Sequence, residues 1–211
     1  MSVLEFIMQN SPKGWHSRGY LPHFDGEESL QFVTFRLSDS LPKTLLQKWK
    51  FEFERDRLEN IDVELRKKIE LYLDQGYGSC FLRKPSVANI IQDALLYLDN
   101  KNYKLIAWVI MPNHVHFLAK ILPGNTLGSV MKVLKGFTAR EVNRSMSRKG
   151  KFWQEDYFDR YIRDENHYFA TISYIESNPV KAGLCKSPED WPYSSARFKN
   201  VSIPKYGHSY P

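Results

Sequence analysis

Apolar residues follow strand-like patterns in three stretches of the chain. The first stretch, residues 30–37, reads LQFVTFRL, with apolar and polar side chains at alternate positions. The other two lie in residues 103–122, on either side of Pro112-Asn113, and are rich in Val, Ile, Trp and Phe. A Pro-Asn pair is typical of a turn. We therefore predict two buried strands joined at this turn, with the first strand paired to them.

Helical spacing of apolar residues predicts helices in residues 85–98, 126–146 and 164–178. Pro179 is expected to end the last helix, because the residue before a proline is pushed out of the helical region. The intervening residues 152–163 mix aromatic and charged side chains and are interpreted as an extended strand or strand pair.

A highly charged segment occupies residues 42–84. Its first part, residues 42–75, carries eight Lys or Arg and eight Asp or Glu side chains among regularly spaced apolar residues. This pattern predicts two exposed amphipathic helices, broken near Asn60-Ile61. We interpret the segment as a helical insertion or scaffold with little chemistry.

The composition suits one domain spanning residues 1–211, because 211 residues that are 42% hydrophobic can bury a substantial core. The formal net charge of +6 favours acidic partners. Residues 126–163 hold nine Lys or Arg against four Asp or Glu, so nearly all of the excess charge lies there. A solvated helix face is the ordinary explanation of such a run, but the neighbouring aromatic residues favour contact with phosphate.

Neither a membrane span nor a signal segment is recognisable, so we expect a soluble protein in the cytoplasm. The two cysteines, Cys80 and Cys185, are far apart and lack metal-like spacing. A disulfide framework or a zinc ribbon is therefore not expected.

The N-terminal arm, residues 1–28, is rich in Gly and Pro over residues 11–28 and is interpreted as a loop. Aromatic side chains and cations alternate there, among them Arg18 and Tyr20. This mixture is typical of contact with single-stranded nucleic acid, since rings stack on bases and Arg pairs with phosphate. Alternatively, the arm packs its aromatic side chains on the domain. The tail, residues 199–211, has no chemical interpretation.

Two histidines in the second of the paired strands form the first candidate site. His114 and His116 are separated by Val115, and strand periodicity places both imidazoles on one face. They could share a metal ion, or each could be satisfied by a backbone carbonyl or water. Two imidazoles leave a metal site incomplete, so a further donor must come from elsewhere.

The helix predicted over residues 164–178 supplies a second candidate pair. Tyr174 and Asn178 are four residues apart and therefore lie on one helix face, one turn from each other. An asparagine can ligate a metal through its carbonyl oxygen. A core tyrosine and a helix-capping asparagine are the alternative interpretation.

Four motifs occur in an order that resembles the REP-associated tyrosine transposases, relatives of the insertion-sequence transposases of the single-tyrosine HUH class. They are HVH at 114–116, FWQEDYFDRYIRDENHY at 152–168, YIESNPVKAGL at 174–184 and WPYSSA at 191–196. The resemblance covers residues 15–200. It implies an α+β fold, a ferredoxin-like antiparallel sheet with helices packed on one side, to which the charged helical segment is added.

The resemblance also implies roles for the candidate residues. His114 and His116 match the two histidines of the HUH motif, Tyr174 matches the nucleophile, and Asn178 matches the polar residue that completes a site for Mg²⁺ or Mn²⁺. No nucleotide cofactor is implied. Four other tyrosines compete for the role of nucleophile, and Tyr174 is preferred because it has a metal-capable residue one helical turn later. The competing tyrosines are Tyr157, Tyr161, Tyr168 and Tyr193.

The implied activity is that of a metal-dependent single-strand DNA endonuclease and strand transferase. It would act on hairpin-forming repeat DNA through a covalent phosphotyrosine, as a monomer or homodimer in the bacterial cytoplasm, at the nucleoid. Neither a membrane nor a small-molecule substrate is expected as a partner. The alternatives are a non-catalytic hairpin-DNA binding protein and a metal-dependent phosphohydrolase that uses water.

Cations in several elements are expected to contact the single-stranded or hairpin DNA, together with Tyr20 of the arm. They are Arg18, Arg36, Lys120, Lys132, Lys135, Arg140, Arg144, Arg148, Lys151, Arg160 and Arg163.

Overall fold

The sheet is built around the strand that carries the two histidines. The structure is a computed structural model that describes residues 14–17, 22–25, 29–57 and 60–198. In chain order the strands are β1 (Gly14–Ser17), β2 (Pro22–Asp25), β3 (Leu30–Arg36), β4 (Tyr103–Ile110), β5 (His114–Ile121) and β6 (Phe158–Tyr161). Strands β3 to β6 form one antiparallel sheet in the order β4-β5-β3-β6. The histidine strand β5 is therefore an inner strand, flanked by β3 and β4.

Five α-helices lie within the described residues. They are α1 (Lys43–Arg55), α2 (Ile61–Asp74), α3 (Pro85–Leu98), α4 (Leu127–Ser145) and α5 (Glu165–Lys181). The predicted break between α1 and α2 is present, and Asn60 adopts a left-handed conformation there, with φ of 58°. The side chain of Thr126 caps α4 by accepting a hydrogen bond from the backbone N–H of Ser129.

The two faces of the sheet bury different side chains. On one face, β3 and β5 contribute Val33, Phe35, Val115 and Phe117 to a core that also contains apolar residues of α3 and α4. On the opposite face, Phe32 and Leu118 pack with Ile175 of α5. The alternation of side chains along β5 therefore separates the apolar core from the face that carries the histidines.

The predicted α+β fold with an antiparallel sheet is confirmed. One-sided packing holds for α3 and α4, whereas α5 lies on the opposite face, where Ile175 fills the apolar patch beside the histidines. Helix α2 also approaches this face, because the Asn113 amide donates to the Leu73 carbonyl oxygen at 3.1 Å. Two helices therefore border the histidine face.

Two local predictions are corrected by the structure. Residues 14–17 and 22–25, within the stretch interpreted as a loop, pair as an antiparallel hairpin. The last helix does not end before Pro179 but continues to Lys181. Proline removes one N–H donor, yet its fixed φ fits a helix, and the carbonyl oxygens of Asn178 and Pro179 still accept bonds from Ala182 and Leu184.

The segment 191–196 ties the edge strand β4 to α5. The backbone N–H of Ile110 donates to the Tyr193 carbonyl oxygen at 2.8 Å. The Ser195 hydroxyl donates to Glu176 at 3.1 Å and accepts from the backbone N–H of Trp108 at 3.1 Å. Because Glu176 follows Tyr174 by two residues, this link fixes the part of α5 that carries the candidate nucleophile.

Among the described residues, none of the helices combines the length and apolar character needed to cross a membrane.

Candidate active site

The histidines sit on the inner strand opposite two polar residues of β3. Thr34 is the cross-strand partner of His116, and Arg36 is the partner of His114. Both imidazoles are 1% exposed. The same-face placement predicted from strand periodicity is confirmed, and the ring centroids lie 4.6 Å apart.

Asn113 orients the His114 ring. Its Oδ1 lies 2.7 Å from His114 Nδ1, while its Nδ2 donates to the carbonyl oxygens of Leu73 and Tyr77. Since the amide oxygen can only accept, the proton of the neutral imidazole must lie on Nδ1. The Nε2 lone pair of His114 therefore faces the site and is free to ligate a metal.

The His116 ring is held in a similar way by Thr34. His116 Nδ1 lies 2.7 Å from the Thr34 hydroxyl oxygen, and His116 Nε2 lies 3.0 Å from His114 Nε2. The hydroxyl can donate or accept, so Nδ1 of His116 either carries a proton and donates it in the hydrogen bond or accepts a hydrogen bond from Thr34. When Nδ1 carries the proton, both Nε2 atoms present lone pairs to the same point.

Tyr174 reaches the histidine pair from α5. Its ring packs edge-on against His116, with centroids 5.4 Å apart, and against Phe32 at 5.9 Å. The ammonium group of Lys181 lies 5.1 Å from the Tyr174 ring centroid. Lys181 belongs to the quoted motif but was assigned no role from sequence, and here it places a cation beside the candidate nucleophile.

The competing tyrosines lie elsewhere. Tyr157 is buried in the core on the other face of the sheet, and Tyr193 packs at the edge of that core. Tyr168 packs against Phe169, with ring centroids 5.3 Å apart. Tyr161 lies on β6, opposite Gln31. Of the five candidates, Tyr174 is the one whose ring contacts His116.

Asn178 is buried beside Tyr174. It is 1% exposed, and its amide group is close enough to the Tyr174 hydroxyl to affect the pKa of the phenol. Its Oδ1 has no hydrogen-bond partner within the described part of the chain. A buried amide oxygen without a partner is costly, and a bound cation would satisfy it.

Helix α2 contributes two carboxylates that the sequence interpretation missed. Asp74 Oδ1 lies 3.8 Å from His114 Nε2, and Glu70 is close enough to Tyr174 for its charge, after desolvation, to raise the pKa of the phenol. The segment 42–84, interpreted as having little chemistry, therefore places two carboxylates beside the candidate site. Glu70 and Asp74 are four residues apart on one helix face, but their spacing resembles that of the salt-bridged surface around them, so nothing in the sequence marks them out.

Burial sets the protonation states of the site. Desolvation, reinforced by the nearby Arg36 guanidinium, lowers the pKa of His114 to about 3, and desolvation lowers the pKa of His116 well below its ordinary value. Desolvation raises the pKa of Asp74 to about 6. His114 is therefore neutral at pH 7, and its contact with Asp74 is not an ion pair there. Desolvation and the charges of Glu70 and Asp74 raise the pKa of Tyr174.

The spacing of the two imidazole nitrogens matches that of two adjacent ligands of an octahedral divalent cation. Octahedral Mg²⁺ has ligands at about 2.1 Å and right angles, so two adjacent ligand atoms should lie about 3.0 Å apart. The observed separation of the two Nε2 atoms is 3.0 Å. No cluster of three or more His, Cys, Asp or Glu side chains suited to a metal ion occurs within the described ranges. A metal site here would need a further ligand of another type, and the buried Asn178 amide oxygen, which has no hydrogen-bond partner among the described residues, is the candidate.

The predicted DNA-contacting cations fall on both faces of the sheet. Arg36, Lys120 and Arg160 lie on the histidine face, because they alternate with the core residues of their strands or pair with Phe32. Arg36 is buried and donates to the Ser40 hydroxyl at 3.4 Å. Arg163 follows β6 and is exposed. Arg18 and Tyr20 lie outside the described residues.

Helix α4, by contrast, packs on the opposite face. Its basic side is therefore remote from the histidines, and the expectation that it contacts DNA stays a prediction. Several of its cations also have partners in the protein: Lys135 donates to the Glu155 carbonyl oxygen, Arg144 pairs with Glu141, Arg148 donates to Asn143, and the neighbouring Lys151 pairs with Glu155. Lys132 and Arg140 are exposed.

Comparison with known proteins shows that this chain is similar to a class of DNA transposases. Residues 83–178 match the family described as Transposase IS200 like, a stretch that contains both histidines, Tyr174 and Asn178. The resemblance to the REP-associated tyrosine transposases is thereby confirmed. Glu70 and Asp74 lie outside the matched stretch.

Two curated relatives carry the name REP-associated tyrosine transposase. A REP-associated tyrosine transposase of Escherichia coli K12 is 28% identical over 97 residues, covering 46% of this chain and 56% of the relative. A protein of Haemophilus influenzae named as a candidate REP-associated tyrosine transposase is 32% identical over 104 residues, covering 44% of this chain and 58% of the relative. The chain thus spans a little over half the length of these curated relatives.

A solved structure shares the fold. It is that of a REP-associated tyrosine transposase bound to a REP hairpin, with a TM-score of 0.53 and 18% sequence identity, covering 86% of this chain and 84% of the other.

Proposed function

We propose that this protein is a metal-dependent enzyme that nicks and rejoins single-stranded DNA next to a hairpin, through a covalent phosphotyrosine. One observation carries the proposal. The buried Nε2 atoms of His114 and His116 face each other at 3.0 Å, and the Tyr174 ring packs against His116. This places a candidate nucleophile beside a candidate cation site.

His114, His116 and Asn178 would hold the divalent cation, Mg²⁺ or Mn²⁺. When bound, it would supply a positive charge that neutralises and polarises the scissile phosphate. Asn113 and Thr34 hold the two imidazoles by hydrogen bonds to Nδ1, which directs their Nε2 lone pairs inward. Such outer hydrogen bonds fix the orientation and the tautomer of metal-ligating histidines.

Tyr174 would attack the phosphorus atom. A bond forms between its Oη and phosphorus, the bond from phosphorus to the 3′ oxygen breaks, and a 3′-hydroxyl is released. Attack by a 3′-hydroxyl on the phosphotyrosine then rejoins DNA. The covalent link conserves the energy of the phosphodiester, so no nucleotide cofactor is required. Lys181, beside the Tyr174 ring, would attract the anionic phosphate to the nucleophile.

Hairpin DNA as the substrate is supported by two observations. A solved relative with this fold is bound to a REP hairpin, and this chain carries a formal net charge of +6. Lys120 and Arg160, partly exposed cations on the histidine face, would accompany the strand that enters the site.

The proposal is tested with a labelled pool of DNA hairpins whose single-stranded flanks are randomised, incubated with the protein and Mn²⁺. We expect a denaturant-resistant protein–DNA adduct that disappears in Tyr174→Phe and in the presence of a chelator. Tyr161→Phe is the matched control and should retain the adduct. Binding without cleavage would instead indicate a non-catalytic hairpin-binding protein, and cleavage that survives Tyr174→Phe would indicate a phosphohydrolase that uses water.

A further inference from the structure

A groove on the histidine face of the sheet lies at the opposite end of β5 from the candidate active site. It is bordered by the start of β4, the end of β5 and the start of α5, and its volume is about 530 Å³, within the range of sites that hold small ligands. Three cations and two aromatic residues line it, Lys104, Lys120, Arg163, Tyr168 and Phe169. Neither Lys104 nor Phe169 was assigned a role from sequence.

The cations converge on this groove from three elements. Lys104 of β4 and Lys120 of β5 are cross-strand partners. Side chains paired in this way project from the same face of the sheet, and like charges directly opposite each other repel. Arg163, which follows β6, is exposed and lines the same groove. An anionic group held among the three would reduce the repulsion between the two lysines.

Two acidic residues at the start of α5 also line the groove and restrict the kind of anion that fits. The Asp164 carboxylate caps α5 by accepting a hydrogen bond at 2.8 Å from the backbone N–H of His167, and Glu165 is exposed. With three cations against two acids, the excess positive charge is small. Such a groove favours a flexible strand, whose phosphates can approach the cations and avoid the acids, over the two rigid phosphate rows of a duplex.

The aromatic residues favour unpaired bases. Phe169 is 59% exposed although its side chain is large and apolar, and its ring packs edge-on against Tyr168. Proteins that bind single-stranded nucleic acid combine rings on which bases stack with cations that follow the backbone. Bases inside a duplex already stack on each other, so a hairpin stem would leave the Phe169 ring without this contact.

The groove and the candidate active site lie on the same two elements. Lys120 follows His116 by four residues on β5, about 13 Å along the strand. Tyr174 follows Phe169 by five residues on α5, about 7.5 Å along the helix axis. A short stretch of single strand can therefore reach both places at once.

We propose that this groove binds a single-stranded flank of the hairpin, with one base stacked on Phe169 and its phosphates beside Lys104, Lys120 and Arg163. The inference rests on the proposed function, which supplies DNA as the class of substrate. It adds a second contact, away from the scissile bond, that would hold the flank while Tyr174 reacts.

The experiment measures DNA binding in the presence of chelator, so that cleavage does not contribute. The probe is the hairpin that the wild-type protein retains from the pool with randomised flanks, synthesised with a fluorescent analogue of adenine at one flank position at a time. Stacking on a ring quenches this base, so we expect quenching at one or two adjacent flank positions that Phe169→Ala abolishes. The same substitution should raise Kd about 5- to 100-fold, as for the loss of one stacked base.

Tyr97→Ala is the matched control. Tyr97 is 56% exposed, and the ammonium group of Lys101 lies 3.3 Å from its ring centroid, but it belongs to α3, which packs on the opposite face of the sheet. This variant should bind and quench like the wild type. Lys104→Gln should reduce the slope of log Kd against log salt by about 0.7, the value for one phosphate of a single strand. Wild-type affinity and quenching in Phe169→Ala would overturn the inference.

A hairpin without flanks distinguishes the flank from the stem. Phe169→Ala should bind it as the wild type does, and an equal loss of affinity for this DNA would assign the groove to the duplex and contradict the inference. Self-association of the wild type that Phe169→Ala abolishes, with unchanged DNA affinity, would instead make the groove an interface between two copies of the chain. A pool that binds without forming the Tyr174 adduct overturns the proposed function alone, whereas a pool from which no hairpin binds overturns both.

Discussion

At the scale of single residues, the site depends on side chains that never touch the substrate. Thr34 and Asn113 each bond to the Nδ1 atom of one histidine and thereby orient it. Replacing Thr34 by Val keeps the volume and the branching of the side chain but removes the hydroxyl. We expect Mn²⁺ affinity, measured by calorimetry on the metal-free protein, to fall about 10- to 100-fold, as for other partners of metal-ligating histidines.

The matched control for this substitution is Thr138→Val in α4. Thr138 is also buried, and its hydroxyl accepts a hydrogen bond from Trp153 Nε1 at 2.9 Å, on the opposite face of the sheet. Its replacement should lower thermal stability without weakening Mn²⁺ binding. Equal metal affinity in wild type and Thr34→Val would show that Thr34 does not orient His116 for a metal.

The sequence predicted which residues share a face of one strand or helix, because that follows from the regular period of the element. It did not predict which residues of different elements meet through tertiary packing. The shared face of His114 and His116 follows from the strand period, and that of Tyr174 and Asn178 from the helical turn. That these pairs meet was implied by resemblance alone. The approach of Glu70 to Tyr174 could not be predicted, because the two residues are remote in sequence and charged residues at similar spacing cover the rest of the Glu70 helix.

At the scale of elements, α4 carries positive charge on the side of the sheet away from the candidate active site. Its exposed cations, Lys132 and Arg140, lie on the face of the sheet opposite the histidines. If this face binds the stem of the hairpin, Lys132→Ala/Arg140→Ala should weaken binding and reduce the slope of log Kd against log salt by about 2, about one for each phosphate that the protein no longer neutralises. The rate of adduct formation at saturating DNA should be unchanged.

The measurement is a series of binding curves at different salt concentrations, with rates taken at saturation. Lys48→Ala/Lys67→Ala on the insertion helices removes the same charge from side chains that form surface ion pairs, and serves as the control. A salt slope that does not differ from that of the wild type would mean that the α4 cations form an ordinary solvated face.

Element boundaries were predictable where the chain has clear local signals. Helix α3 has the predicted span of residues 85–98, and Thr126 caps α4 at its predicted start. Helix α5 runs beyond its predicted end because local and tertiary preferences compete there. Pro179 opposes the helix locally, but it is buried, and the Ser195 link holds the preceding turn through Glu176. Such tertiary contacts are not visible in sequence.

At the scale of the whole molecule, the polar side chains of the candidate site are buried in the interior of the fold. The two histidines lie on β5, which is flanked by β3 and β4, and α5 and α2 border their face of the sheet. Their imidazoles are therefore almost inaccessible to water and neutral. The topology could be anticipated from strand and helix patterns together with the resemblance. The side of the sheet covered by α2 could not, since amphipathic periodicity gives a helix a buried face but does not say what it buries against.

Burial of His114 makes the stability of the metal-free protein depend on pH. Its folded pKa is about 3 and its ordinary value is 6.5. Below pH 6.5 the unfolded chain takes up a proton that the folded protein does not, so the free energy of unfolding falls by about 1.4 kcal/mol per pH unit from this residue alone. Asp74 acts in the opposite sense, because its folded pKa is raised to about 6.

The contribution of His114 is therefore isolated by comparing the wild type with His114→Gln, both with chelator. Denaturant unfolding should show that the stability of the wild type relative to the variant falls by about 2 kcal/mol between pH 7.5 and pH 5. Below pH 6.5, over about 1.5 pH units, His114 of the unfolded chain carries a proton that must be lost on folding. His167→Gln is the control, because this histidine lies nearer the surface and should show a smaller change. A difference between wild type and His114→Gln that does not vary with pH would contradict the neutral, buried imidazole on which the metal-ligating tautomer depends.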